Sequence, residues 1–210
     1  MPTEGTVHVI DDDEAARDSL AFLLEAAGLT ACTHASAAAF LARLPDPQAG
    51  CVVTDIRMPE TTGLDLLRQL RENRVGLPVI VVTGHADVPL AVEAMKNGAL
   101  DFLEKPYDDV AMLAAVRSAL DRHDVERRRA REREAARARH DSLSGRERDV
   151  LQGLVAGHAN KRIAFDLGIS PRTVEIYRAH LMTKMDAASL SDLVRMSLLL
   201  GNLPGPEGEA

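Results

Sequence analysis

The sequence has no run of about 18 apolar residues, which a membrane-spanning helix would need. No secretory leader is expected: residues 6–10 are too short an apolar run, and four acids, Asp11 to Glu14, follow at once. Cysteine is scarce, with only Cys32 and Cys51 among 210 residues, so no disulfide framework is expected. Both lie in apolar, strand-like segments and read as buried free thiols in a reducing cytoplasm. The charged middle of the chain lacks a seam of Leu, Ile or Val at coiled-coil spacing. These absences point to a cytoplasmic protein with no membrane partner, long enough for two modest domains.

The formal net charge of −7 is unevenly spread. Acids outnumber bases over residues 1–120, and bases outnumber acids over residues 121–200. An acidic front and a basic back suggest two domains with different partners, the back one meeting nucleic acid.

The front half is organised around Cys51-Val52-Val53-Thr54-Asp55-Ile56-Arg57-Met58-Pro59. A short apolar run reads as a buried parallel strand that delivers Asp55 to its C-terminal end, and Pro59 closes the ladder. Strands are expected near residues 6–10, 29–34, 51–55, 78–82 and 100–103. Helices are expected at 15–27, 36–44, 63–74 and 88–97 and from Asp108 to about Leu120. Ser36 caps the second helix, which Pro45 and Pro47 end, and Val110, Leu113, Val116 and Leu120 form the packed stripe of the last. This alternation is that of an α/β, doubly wound, five-stranded parallel sheet.

Ligands of open α/β sheets sit beyond the carboxyl ends of the strands. Polar residues collect there: Asp11 and Asp12, Asp55, Thr83 before Gly84-His85, and Lys105. Order 2-1-3-4-5 places strands one and three side by side, so three carboxylates crowd one pocket. Like charges repel unless a cation relieves them. A hard divalent metal and the Lys105 ammonium are the available solutions. Asp13 reads as the cap of the first helix.

Asp11-Asp12, Asp55 before Arg57-Met58-Pro59, Thr83 and Lys105-Pro106 form an ordered set that resembles the receiver domain of bacterial response regulators. The resemblance covers about residues 5–125 and implies a flavodoxin-like receiver. It implies that Asp55 accepts a phosphoryl group from a sensor histidine kinase. Mg2+ or another divalent cation would be bound by Asp12, Asp55, the Arg57 carbonyl and, through water, Asp11. Lys105 would pair with the phosphoryl oxygens, Thr83 would hydrogen-bond to them, and Phe102 would be the switch aromatic, with core packing as its plainer role. Val92, Lys96 and Asp101 lie on the face through which such receivers pair. No enzymatic activity beyond slow self-dephosphorylation is implied. A metal-dependent phosphatase and a degenerate interaction module compete, but the short loops oppose the first and the intact acids the second.

From Asp121 to Asp141 arginine, glutamate and alanine alternate, which reads as a solvated helical rod with a flexible end near residues 141–144. A DNA-clamping arm is the alternative. Beyond it, Ser144 and Glu147 fit a capping box. Asn160 is expected to cap a second helix closed by Gly168, and Ser170-Pro171 opens a third. The spacing from Lys161 to Met185 fits a helix-turn-helix, with a fourth helix near residues 190–200. The chain therefore divides into residues 5–120, a charged linker 121–141, a small all-α domain 142–202 and a tail 203–210 holding Glu207 and Glu209.

Leu143-Ser144-Gly145-Arg146-Glu147, Asn160-Lys161-Arg162-Ile163-Ala164 and Ile169 to Glu175 resemble the LuxR-type DNA-binding domain, with Tyr177 departing where that family often has His. With both halves the chain resembles the FixJ group of regulators. That likeness implies a phosphorylation-switched transcription factor, dimeric on promoter DNA and usually an activator, serving nitrogen-fixation or oxygen-responsive genes. RNA polymerase is a further candidate partner. A helix-turn-helix places its second helix in the major groove. Arg172, Thr173, Glu175, Ile176 and Arg178 are the expected contacts there, with Lys161, Arg162 and Lys184 on phosphates. Ile163, Leu167, Val174, Leu181 and Met185 are core by spacing. Leu193, Met196, Ser197 and Leu200 are either internal packing, which is favoured, or a dimer face.

Overall fold

Alternation along the third strand explains the architecture. Val52 points to one side of the sheet, and Cys51 and Val53 point to the other, all buried. A strand with no wet side needs helices on both faces. The computed structural model describes residues 5–44, 49–84 and 88–201. The expectations for Pro45, Pro47, His85 and the tail 203–210 lie outside the described residues. The chain falls into two compact units, Met1–Arg127 and Arg128–Ala210.

In the first unit the order is β1 (Thr6–Ile10), α1 (Glu14–Ala26), β2 (Thr30–His34), α2 (Ala37–Leu41), β3 (Gly50–Asp55), α3 (Gly63–Glu72), β4 (Val79–Thr83), α4 (Val88–Lys96) and β5 (Asp101–Glu104). Helix α5 (Asp109–Asp141) follows. The sheet is parallel throughout, in the order β2-β1-β3-β4-β5. One face packs Val52, Val79 and Val81 against Phe40 of α2, Leu66 and Leu70 of α3 and Ala94 of α4. The other packs Val7, Val9 and Ile80 against Leu24 of α1 and Met112, Val116 and Leu120 of α5. This is the doubly wound α/β fold that the alternation predicts.

Several expectations are corrected. Helix α2 stops at Leu41, three residues before Leu44. Val110 is 73% exposed and leaves the stripe, whereas Leu113, Val116 and Leu120 pack on the sheet as expected, joined by Met112, Ala115 and Ala119. Cys51 is buried, but Cys32 is only half-buried, because β2 is an edge strand. Residues 121–141 are helical within α5 but not solvated along their whole length. His123 is buried with its Nδ1 3.1 Å from the Gly76 carbonyl oxygen. Ala136 is 2% exposed, and Arg133 Nε donates to the Leu199 carbonyl over 3.1 Å.

The second unit contains α6 (Gly145–Val155), α7 (Asn160–Leu167), α8 (Pro171–Met185) and α9 (Leu190–Leu200). Val150, Leu154, Ile163, Val174, Leu181, Met185 and Leu193 form its core, with Leu167 and Met196 packed at the margin. Asn160 does not cap α7: it is the first residue inside the helix, and Ala159 precedes it without a side-chain cap bond. Gly168 ends α7 in the left-handed region at φ 66°, where a β-carbon is disfavoured. Ser170 caps α8 and Pro171 opens it. Leu193 and Ser197 of α9 are buried inside the unit, which favours packing for them.

The Ser144–Glu147 capping box forms as expected. It has a third member, Lys184, whose Nζ donates to Glu147 Oε2 over 2.7 Å. The hydrogen bond from Lys184, then that from the Ser144 amide, holds the Glu147 carboxyl down to about 2. A carboxylate held below its ordinary value contributes stability that is complete above that ordinary value and lost as pH falls through about 2. Glu147→Ala should therefore destabilise the second unit by about 2 kcal/mol near neutral pH. Hydrogen exchange of the α6 and α8 amides in the full chain should speed up by about 30-fold. The gap between variant and wild type should narrow as the pH approaches 2; a gap that widens there contradicts the assignment.

Candidate functional site

The four strand ends converge because parallel neighbours stay in register. Ile10 pairs with Thr54, Asp55 with Val82, and Thr83 with Glu104. The residues immediately beyond these pairs therefore share one edge of the sheet. Gly63 allows the loop after β3 to fold back over it: a β-carbon there would stand 2.2 Å from the Asp55 carbonyl oxygen. This close approach requires glycine.

The carboxylate oxygens of Asp11, Asp12 and Asp55 lie within 4.8 Å of one another, Asp11 and Asp55 buried and Asp12 exposed. Lys105 Nζ stands 2.6 Å from Asp11 Oδ2 and 3.1 Å from Asp55 Oδ1. The Arg57 amide donates to Asp55 Oδ2 over 2.9 Å, and the Asp13 amide donates to Asp11 Oδ1 over 3.0 Å. Asp13 itself caps α1, accepting from the Ala15 and Ala16 amides. Thr83 is fully buried, and its carbonyl accepts from the Lys105 amide over 2.8 Å.

Lys105 serves two buried acids here, with a third beside them, and the proton affinities follow. Burial raises the Asp55 carboxyl, Lys105 pulls it back, and the neighbouring Asp11 charge pushes it up again; the net shift is upward. Burial works against the Lys105 ammonium, but its hydrogen bond to Asp11 and the Asp55 and Asp11 charges outweigh that and raise it. A lysine among carboxylates gains from all of them, whereas each carboxylate shares one lysine and feels the others. Three clustered carboxylates, two of them buried, fit a hard divalent cation in charge and donor type.

Phe102 pairs in register with Val81, one strand repeat before Thr83, and is half-buried against the core on that face. Val92 is partly exposed on α4, and Lys96 and Asp101 are exposed. Arg17, not expected at the site, donates from its guanidinium to the Asp11 carbonyl over 2.7 Å. Its only signal is its place one helical turn beyond Asp13.

In the second unit Arg172, Glu175 and Ile176 are exposed on α8, and Arg178 is half-buried. Lys161 and Arg162 are exposed on α7, Arg162 paired with Asp166 at 2.9 Å. Arg172 and Glu175 pair with each other at 3.5 Å. The Thr173 hydroxyl lies 2.8 Å from the Ser170 hydroxyl, inside the cap. Lys184, expected on a phosphate, holds its ammonium on Glu147 while its side chain stays 42% exposed. Phe165, 82% exposed on α7, was not singled out because it lies off the helix's apolar stripe.

The response regulator receiver domain model matches residues 7–117, over half of the chain. The chain belongs to the response regulator family. Residues 141–197 match the LuxR family of bacterial regulatory proteins, so the regulator joins a receiver to a helix-turn-helix domain and is not a catalytic enzyme. It is similar to the transcriptional regulatory protein FixJ of Azorhizobium caulinodans, at 58% identity over 207 residues, covering 99% of this chain and 98% of the relative. Among solved structures it resembles the response regulator StyR, with TM-score 0.82 and 41% identity over 92% of this chain and 98% of that one. It also resembles full-length FixJ from B. japonicum, with TM-score 0.59 and 49% identity over 96% and 99% of the two chains. Membership implies a sensor kinase partner and DNA binding. Among the described residues no helix is long and apolar enough to cross a membrane.

The raised Asp55 carboxyl means that its ionised form is disfavoured in the folded protein. The resulting penalty is absent below the ordinary carboxylate value, where Asp55 is protonated in both folded and unfolded chains. It grows as pH rises through the window up to the raised value and is constant above it. Without divalent ions, Asp55→Asn should therefore unfold at a higher temperature than wild type at pH 7. Calorimetry at decreasing pH should show the two melting temperatures converging in the acid range. A variant that melts lower than wild type at pH 7 contradicts this account.

Proposed function

We propose that the regulator accepts a phosphoryl group on Asp55 from a sensor histidine kinase, then dimerises and binds promoter DNA to activate transcription. The observation that carries this reading is the Asp55 carboxylate held 3.1 Å from Lys105 beside two further acids at the sheet edge. An Asp55 oxygen would form the new P–O bond as the P–N bond of a phosphohistidine breaks, the electron pair leaving with the imidazole. Phosphoryl transfer mainly needs positioning and charge neutralisation. Asp11, Asp12 and Asp55 with the Arg57 carbonyl would hold Mg2+, which supplies that neutralisation when bound. Lys105 would exchange its grip on Asp11 for the phosphoryl oxygens, and the Thr83 hydroxyl would turn to meet them. Phe102, on the same sheet face, would register that movement.

The exposed α4–β5 face, with Val92, Lys96 and Asp101, is the proposed dimer surface. Arg172, Thr173, Glu175, Ile176 and Arg178 would meet the major groove, with Lys161 and Arg162 on phosphates. In domain terms, residues 5–120 would be the receiver, 121–141 the charged linker and 142–202 the DNA-binding domain. The likeness to FixJ supports nitrogen-fixation or oxygen-responsive targets, RNA polymerase as a partner, a cytoplasmic location and only slow self-dephosphorylation. Moving a switch from 1:99 to 99:1 takes about 5.5 kcal/mol, part of which dimerisation on DNA can supply.

With Mg2+ and a small phosphodonor, the full chain should become dimeric and bind a two-half-site promoter fragment about tenfold more tightly. Asp55→Asn should show neither change, and phosphoryl incorporation retained in that variant overturns the site. Lys105→Ala should still incorporate phosphate, though more slowly, without the gain in DNA affinity. Light scattering and fluorescence anisotropy at two salt concentrations read both effects, since phosphate contacts make the affinity fall with salt.

A further inference from the structure

A second cluster of metal-ligating side chains lies at the other side of β1 from β3. His8 of β1 pairs in register with Cys32 of edge strand β2, and His34 follows Cys32 by one strand repeat. Side chains two apart share a sheet face. All three therefore project to one side, where both imidazoles also lie against Phe40 of α2 at ring distances of 5.2 Å. One nitrogen from each imidazole and the Cys32 sulfur come within 4.8 Å of one another.

We propose that His8, Cys32 and His34 form a binding site for one borderline-soft cation of the zinc class. The geometry suits it. His8 Nδ1 and His34 Nε2 are 3.1 Å apart. Two imidazole nitrogens on one tetrahedral Zn2+, each at about 2.0–2.1 Å, stand roughly 3.3 Å apart. The donor set also suits it, since a thiolate with two imidazoles selects zinc-class ions over Mg2+. This separates the cluster from the carboxylate pocket, which offers only hard oxygen ligands.

Burial shows the same purpose. His8 and His34 are 6% and 4% exposed, while Cys32 at the sheet edge is half-open to solvent and provides a way in. The other His8 nitrogen, Nε2, is buried with no hydrogen-bond partner. Burial keeps both imidazoles below their ordinary value, His34 at about 4, with His8 and Arg43 adding to the shift. Both rings are therefore neutral at pH 7 and offer lone pairs. Exposed Arg43 opposes a cation only through solvent-screened charge. Loading would release one proton, from the Cys32 thiol. The proton between the rings would move to the other nitrogen of its own ring, leaving a fourth position to water.

Cobalt titration of the full chain, kept in excess Mg2+, tests the assignment. One Co2+ per chain should bind, with a thiolate-to-cobalt charge-transfer band and tetrahedral visible absorption, and Zn2+ should displace it. Cys32→Ser, at a half-open position where circular dichroism should confirm the fold, should lose the band and weaken binding by at least about tenfold. His34→Asn should weaken it similarly, and Asp55→Asn should leave the band in place. A band that survives Cys32→Ser, or the lack of any saturable thiolate band at one equivalent, overturns the proposal.

Discussion

One shared ammonium is the constraint on which the receiver half depends. Parallel pairing of β1 with β3 places the ends of two acid-bearing strands side by side, and no local choice of rotamer separates the charges that follow. Lys105 arrives from β5, across the sheet, and stands within hydrogen-bond reach of both Asp11 and Asp55. Backbone amides of Arg57 and Asp13 add to the compensation without completing it. The pocket is therefore organised but under-neutralised. Added positive charge relieves it, and a transferred phosphoryl group gives Lys105 a new anion to hold. A fold stabilised by apolar faces above and below the sheet can tolerate such a knot at its edge, because the core carries the stability.

The second unit reaches order differently. Its described residues form helices and no sheet, and its small apolar core is framed by caps: Ser144 with Glu147, Ser170 with Thr173, Ser189 with Asp192, and Gly168 in the left-handed region. Each satisfies backbone groups that a short helix leaves open. Arginines of α7 and α8 are meanwhile paired with acids on their own helices, Arg162 with Asp166 and Arg172 with Glu175. Such exposed pairs are weak and exchange readily for a phosphate.

Much of this was legible in the residues. Strand-helix alternation, the apolar run into Asp55 and the ordered polar residues at strand ends were enough for the sheet and the pocket. The Ser144–Glu147 and Ser170–Pro171 signals located two of the four C-terminal helices by chemistry alone. The end of α2 and the cap of α7 were misjudged at element boundaries; the other departures concern which side of a periodic element meets a neighbour. Val110 fits a three-four spacing as well as Met112 does, and only the docking of α5 distinguishes them. Ala136 and His123 interrupt a charged stretch too sparsely to signal burial. The bond of Lys184 to Glu147 spans 37 positions, and no local pattern signals it. The pairing of His8 with Cys32 depends on register between strands, which no local pattern encodes.

The Glu147–Lys184 pair has a consequence for how DNA is read. It ties the last turn of the helix-turn-helix's second helix to the first turn of α6. Tilting α8 alone would separate a buried carboxylate, itself part of a helix cap, from its cation. With α8 in the major groove as proposed, a groove that fits poorly would have to widen or bend to meet it, and discrimination between sites would rest partly on how readily their base steps deform, including steps that no side chain touches.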